Sequence, residues 1–100
     1  MFGLKPSDIE KIKQICANYV EVEEALIYGS RAMGNYKPGS DVDIALIGNV
    51  SLSTVFAISA ELNERTLMPY KFDVLAYSHL TNMALKEHID TFGKTFYTVV

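Results

Sequence analysis

The sequence predicts a small α/β protein in which helices flank a mixed β-sheet. Some segments carry apolar residues at helical spacing, others are short apolar runs of strand length, and glycine or proline separates them. These segments alternate as helix, strand, strand, helix, strand, helix, which is typical of a layered α/β domain. The chain has 100 residues, so we expect one domain, 1–100, built around one hydrophobic core.

Three segments are predicted to be helices. Ser7 and Glu10 form a capping-box pattern that indicates the start of the first helix. Its buried face is predicted to comprise Ile9, Ile12, Ile15, Cys16 and Tyr19. The second helix is predicted over residues 53–65 and the third over about residues 80–90, with Gly93 as its stop signal.

Three apolar runs, at residues 25–28, 41–47 and 71–77, are predicted to be strands. Residues 29–40 contain three glycines and a proline, which predicts a loop with one helical turn near residues 31–34. Residues 96–100 either add a short edge strand or pack down without regular structure.

Composition excludes several classes of function. The formal net charge is -3 and the sequence pI is about 5.2, which argues against direct binding to nucleic acid or to an anionic membrane. Cys16 is the single cysteine, so no intrachain disulfide or thiolate-ligated metal site is expected. Residues 1–6 lack the apolar run of a signal peptide, and no apolar stretch approaches the about 20 residues of a membrane span. We therefore expect a cytoplasmic protein.

Asp41 and Asp43 are the first candidates for chemistry. Side chains alternate along a strand, so these carboxylates are predicted to share one face while Val42 points into the core. Two adjacent ionised carboxylates repel each other, and a cation would offset that repulsion. Their hard oxygen atoms suit Mg²⁺ or Mn²⁺. Taken alone, the Asp-x-Asp pattern is also compatible with a turn or a solvated strand end.

Asp73 is the third candidate acid. It lies in an apolar run, where a carboxylate without a partner is costly. If its strand pairs beside the strand of Asp41 and Asp43, the three carboxylates form a cluster. Such a cluster can hold two metal ions and stabilise the attacking and leaving oxygens of a phosphoryl transfer. Alone, Asp73 is also compatible with a structural acid paired with lysine or arginine.

Gly29 and Ser30 directly follow the first predicted strand. A glycine there allows backbone N–H groups to approach a phosphate, and the Ser30 hydroxyl could donate to the same phosphate. Arg31 could clamp a phosphate or cap the site from outside. An ordinary turn and a solvated surface arginine are the alternatives. His79 and His88 lack metal-ligand spacing and are predicted to be surface or core-edge histidines.

Together, these residues resemble a known family, the minimal nucleotidyltransferase (MNT) group of the polymerase β-like nucleotidyltransferases. The resemblance extends over nearly the whole chain and implies the polymerase β-like fold. It is carried by Gly29, Ser30, Ala32, Gly34, Ser40, Asp41, Val42, Asp43 and Asp73. Met33 stands where the group commonly has an arginine, so this chain lacks that side chain at this position.

The resemblance implies roles for Gly29, Ser30 and the three aspartates. Gly29 and Ser30 would bind the triphosphate of ATP, and Arg31 and Ser40 complete the predicted nucleotide-binding set. Asp41, Asp43 and Asp73 form the predicted catalytic set and the predicted ligand set for Mg²⁺ or Mn²⁺. Asp73 would act as a metal ligand or as the general base.

The resemblance also implies a partner. MNT proteins pair with a helical HEPN-type protein, and the MNT member is the antitoxin that transfers AMP from ATP to a tyrosine of the toxin. We therefore expect a metal-dependent nucleotidyltransferase with a protein acceptor, and a homo- or hetero-oligomer. Two alternatives stay open: a non-catalytic nucleotide-binding or inhibitory subunit of a two-protein complex, and a structural α/β protein with an accidental motif.

Overall fold

The computed structural model describes residues 1–99, and it has the α/β architecture predicted from the sequence. A 3₁₀ turn at Tyr77–His79 links the third strand to the last helix. The other elements, in chain order, are α1 Pro6–Ala17, β1 Glu24–Tyr28, α2 Ser30–Met33, β2 Val42–Ile47, α3 Leu52–Glu64, β3 Phe72–Ala76, α4 Met83–Phe92 and β4 Lys94–Thr98.

The four strands form one mixed sheet in the order β3-β2-β1-β4. β1 pairs antiparallel with both β2 and β4, whereas β2 and β3 are parallel and are connected through α3. A parallel pair needs a crossover connection of this kind, because a tight hairpin can join only antiparallel strands. The parallel pairing places the starts of β2 and β3 side by side, next to the end of β1.

The two faces of the sheet are covered unequally. α1 and α3 pack on one face, over a core that includes Ile12, Ile27, Ile44, Ile58 and Leu62. α4 packs on the other face over a smaller cluster of Tyr28, Ala45 and Ile89. Side chains alternate along β2, so Asp43 lies on the face of Ala45, which is the less covered one.

The first helix begins two residues earlier than the capping-box pattern indicates, since that pattern makes Ser7 the residue before the helix. Pro6 is its first helical residue and Lys5 precedes it, so Ser7 lies inside the first turn and the predicted capping box is wrong. Instead, the Asp8 carboxylate accepts a hydrogen bond from the Lys5 N–H at 3.4 Å. Proline favours this start because the first helical residue needs no N–H donor within the helix.

The last helix begins later than predicted, at Met83. The Asn82 side chain accepts a hydrogen bond from the Leu85 N–H at 3.1 Å and caps the helix there. Gly93 ends the helix, as predicted. The chain then forms β4, which pairs with β1 at the edge of the sheet. This confirms the predicted edge strand. Val100, the last residue of the predicted run, lies outside the described residues.

Within residues 1–99, no helix has both the length and the apolar character needed to cross a membrane.

Candidate active site on the open face of the sheet

The structure brings the predicted carboxylates together at the start of β2 and β3. Asp43 pairs in register with Asp73 across the parallel strands, and with Tyr28 across the antiparallel pair. Asp41 immediately precedes β2 and is partly exposed, while Val42 between the two acids is fully buried. The predicted alternation is therefore confirmed, and so is the proximity of the third acid.

The electrostatics of Asp43 reflect this crowding. Burial, followed by the charges of Asp73 and Asp41 and a hydrogen bond with the Asp73 carboxyl group, raises the pKa of Asp43 from an ordinary 3.8 to about 6. Only a positively charged His88 ring would act in the opposite direction. Burial and then the charges of Asp43 and Asp73 likewise raise the pKa of Tyr28 to about 12. The end of β1 and the starts of β2 and β3 therefore concentrate negative charge.

This concentration of carboxylates fits a divalent cation in its chemistry. Oxygen ligands of this kind suit Mg²⁺ or Mn²⁺, and a cation would relieve the repulsion that raises the pKa of Asp43. As the side chains stand in residues 1–99, however, no three His, Cys, Asp or Glu residues form a finished ligand set. Metal binding by Asp41, Asp43 and Asp73 stays a prediction, and the carboxylates would have to turn toward a common ion.

Gly29 makes the sharp turn from β1 to α2, with φ 74° and ψ -153°. A Cβ at this position would collide with the carboxylate of Asp43, so the turn and the acid can lie this close only because residue 29 is glycine. Ser30 is the first residue of α2, which has a single turn. Because α2 is so short, any phosphate bound here would depend on local N–H groups and the Ser30 hydroxyl more than on a helix dipole.

Arg31 and Ser40, both predicted to bind nucleotide, make structural contacts. Arg31 is only 3% exposed, so the alternative of a solvated surface arginine is wrong. Its guanidinium donates to the carbonyl oxygens of Ser40 and Phe2. The Ser40 hydroxyl accepts a hydrogen bond from the Lys37 N–H at 2.8 Å. These contacts hold the loop between α2 and β2, and a nucleotide contact by either residue stays a prediction.

His88 is the site residue whose position sequence reasoning missed. Its Nε2 accepts a hydrogen bond from the Gly29 N–H at 3.1 Å, which requires the neutral ring with its proton on Nδ1. Its ring lies 5.2 Å from that of Phe92 and 6.2 Å from that of Tyr28. His88 is partly buried, as a core-edge residue would be, but nothing in the sequence indicated that α4 would place it beside Gly29. His79 is exposed.

The raised pKa of Asp43 predicts an unusual dependence of stability on pH. Since the folded pKa of about 6 exceeds the ordinary 3.8, the folded protein binds this proton more tightly than the unfolded chain. The resulting stabilisation is complete below about pH 4 and is lost as pH rises through about 6. Urea unfolding in the presence of a chelator should therefore show wild type gaining stability relative to Asp43→Asn between about pH 7 and pH 4. Parallel stability curves for the two proteins would contradict the shift.

A family model described as "Polymerase beta, Nucleotidyltransferase" matches residues 10–99. The fold is thus that of a nucleotidyltransferase domain. The chain is a member of the polymerase β nucleotidyltransferase family. No curated protein matches the sequence at a significant level.

Several solved structures share the fold at low sequence identity. A toxin–antitoxin structure with AMP-PNP has a TM-score of 0.73 and 18% identity, over 96% of this chain and 75% of that chain. A complex of a tri-AMPylated Shewanella oneidensis HEPN toxin with its MNT antitoxin has a TM-score of 0.71 and 15% identity, over 96% and 74%. A Sulfolobus solfataricus protein with a provisional nucleotidyltransferase assignment has a TM-score of 0.51 and 22% identity, over 96% and 91%.

Proposed function

We propose that this chain is a metal-dependent adenylyltransferase that moves AMP from ATP to a hydroxyl group of a HEPN-type helical protein, and so acts as an antitoxin. The observation that carries the proposal is the register of Asp43 opposite Asp73, with Asp41 two residues before Asp43 and Gly29 packed against the Asp43 carboxylate. Similarity to an AMP-PNP-bound toxin–antitoxin structure and to the complex of an AMPylated HEPN toxin supports the choice of nucleotide and partner.

In this proposal the β1–α2 turn binds the nucleotide and the three aspartates bind the cation. The β1–α2 turn holds the triphosphate through the amide and hydroxyl groups of Ser30; a phosphate that used the Gly29 N–H would have to displace His88. A divalent cation held by Asp41, Asp43 and Asp73 would supply positive charge to the phosphates. Such electrostatic stabilisation and positioning are the main sources of catalysis in phosphoryl transfer.

In the proposed transfer, one bond to phosphorus forms, one breaks, and the acceptor hydroxyl loses one proton. The acceptor oxygen forms a bond to the α-phosphorus while the bond from the α-phosphorus to the pyrophosphate oxygen breaks. Asp73 is the most exposed of the three acids, so it is best placed to take the proton from an incoming hydroxyl. Pyrophosphate leaves, and the acceptor carries AMP as a phosphodiester.

The position of the site agrees with an acceptor supplied by another protein. Asp73 is exposed and Asp41 is partly exposed. The carboxylates lie on the face of the sheet that only α4 covers. A protein side chain can reach an exposed carboxylate there without entering a deep pocket.

The test is transfer of label from α-labelled ATP in the presence of Mg²⁺. The chain is mixed with its HEPN-type partner, and the label is followed on both proteins. We expect label on the partner, and we expect Asp41→Asn to abolish it. Glu10→Gln, which neutralises an exposed acid on α1, is the matched control and should retain the label. Tight ATP binding without label on any protein would contradict protein adenylylation and favour a small-molecule acceptor or a non-catalytic subunit.

A further inference from the structure

Arg31 is a buried arginine with every side of its guanidinium engaged. Nε and Nη2 donate to the carbonyl oxygen of Ser40 at 3.2 Å and 2.9 Å, and Nη1 donates to the carbonyl oxygen of Phe2 at 2.9 Å. The guanidinium carbon lies 5.0 Å from the ring centre of Tyr36 and 5.1 Å from that of Tyr70. This geometry needs the planar, forked guanidinium, which lysine lacks.

The contact with Ser40 fixes the peptide that leads into Asp41. Residues 33–39 of the preceding loop are exposed apart from the partly buried Tyr36. The Ser40 N–H donates to the Lys37 carbonyl oxygen at 2.9 Å, which closes a turn just before the acid. After Asp41, the Val42 N–H donates to the Lys71 carbonyl oxygen at 2.9 Å, and the chain enters the sheet. Asp41 therefore lies between two anchored peptides.

Asn63 makes an equivalent contact one residue ahead of Asp73. Its Nδ2 donates to the Phe72 carbonyl oxygen at 3.0 Å, and its Oδ1 accepts from the Phe72 N–H at 2.8 Å. β3 is an edge strand, and the two bonds occupy backbone groups that a neighbouring strand would otherwise pair. The α3 side chain thereby fixes the start of β3, where Asp73 begins its pairing with Asp43.

We propose that Arg31 and Asn63 are positioning residues that hold Asp41 and Asp73 at the separation needed to bind one divalent cation with Asp43. The inference rests on the proposed function, since it assumes that these acids are metal ligands. Neither side chain touches the cation in this scheme; each acts through the backbone of the residue before an acid. Loss of an outer-shell contact of this kind typically costs about 10- to 100-fold in metal affinity or activity.

The experiment measures metal binding directly, without turnover. Mn²⁺ affinity is determined by electron paramagnetic resonance for wild type, Arg31→Lys and Asn63→Ala, in the presence of a non-hydrolysable ATP analogue. We expect the dissociation constant for Mn²⁺ to rise about tenfold in each variant. In transfer assays, the half-saturating Mg²⁺ concentration should rise similarly, while the KM for ATP at saturating Mg²⁺ changes far less.

A control variant and a second test variant distinguish a positioning role from a general loss of stability. Tyr19→Phe removes the hydrogen bond from the Tyr19 hydroxyl to Glu61, away from the acids, and should leave Mn²⁺ affinity unchanged. If Arg31→Lys does not fold, Asn63→Ala still tests the positioning of Asp73, because Asn63 is an exposed residue whose truncation opens no cavity in the core.

The outcomes are distinct for the two proposals. Unchanged Mn²⁺ affinity in the folded variants would overturn the positioning role while leaving the proposed function intact. Metal binding with the expected tenfold effects but no label transfer would support positioning and contradict the transfer reaction. A wild-type protein that binds no Mn²⁺ would overturn both.

Discussion

Asp43→Asn is expected to abolish label transfer while the protein keeps its fold and is at least as stable as wild type near neutral pH. The carboxylate is partly buried and faces Asp73, so the amide removes a repelled charge without changing the size of the side chain. In the proposed function, the same change also removes a central metal ligand. A metal ion contributes several kcal/mol to transition-state stabilisation, which corresponds to a rate loss of about a thousandfold or more.

The measurement pairs the transfer assay with thermal unfolding in the presence of a chelator. Asp90→Asn is the matched control, because Asp90 is an exposed acid on α4 that bonds the Tyr77 hydroxyl and lies outside the carboxylate cluster. The control should retain transfer. Activity of Asp43→Asn within a few-fold of wild type would refute a catalytic or metal-binding role for Asp43.

Gly29→Ala is expected to destabilise the protein and to eliminate nucleotide binding. Alanine at a φ of 74° is strained, at a cost of roughly 1–3 kcal/mol, and the added Cβ would also collide with the Asp43 carboxylate. The collision would displace either the turn that holds Ser30 or the acid itself. Urea unfolding measures the first effect, and thermal stabilisation by ATP with Mg²⁺ measures the second.

Gly39→Ala provides the matched control for this substitution. Gly39 has a φ of 85°, but a Cβ there would meet no heavy atom within 4 Å, so it reports backbone strain without a collision. The excess loss of stability in Gly29→Ala should shrink when Asp43 is also replaced by Ala, since the two changes are coupled through direct contact. Equal destabilisation by the two glycine variants would indicate that Gly29 serves only the turn conformation.

Much of the framework could be predicted from local patterns. The alternation of buried and exposed residues in β2 was predictable because side chains in a strand alternate, and the position of Asp43 follows from it. The meeting of Asp43 and Asp73 could be stated only conditionally, because it depends on which strands pair. The starts of helices were harder to predict. The Ser51 hydroxyl accepts a hydrogen bond from the Thr54 N–H, so α3 begins at Leu52 and not at the predicted residue 53.

The supporting contacts could not be predicted, for a physical reason. His88 and Gly29 are 59 residues apart in sequence, and their hydrogen bond exists only after α4 docks on β1. Arg31 lies nine residues from Ser40, and Asn63 lies nine residues from Phe72, yet these bonds depend on loop and edge-strand geometry that no periodicity encodes. Residue type alone therefore suggested an arginine that clamps phosphate or remains in solvent, whereas the structure shows one buried in the loop.

The parallel pairing of β2 and β3 also has a consequence for the kinetics of folding. In the unfolded chain the carboxylates of Asp43 and Asp73 are far apart, and they come together only when the α3 crossover closes. Pairing of strands distant in sequence is a slow, entropically costly step. Here that step also brings two like charges together. Protonation or a divalent cation that neutralises the pair should therefore speed refolding, which couples assembly of the chain to the ion it is proposed to use.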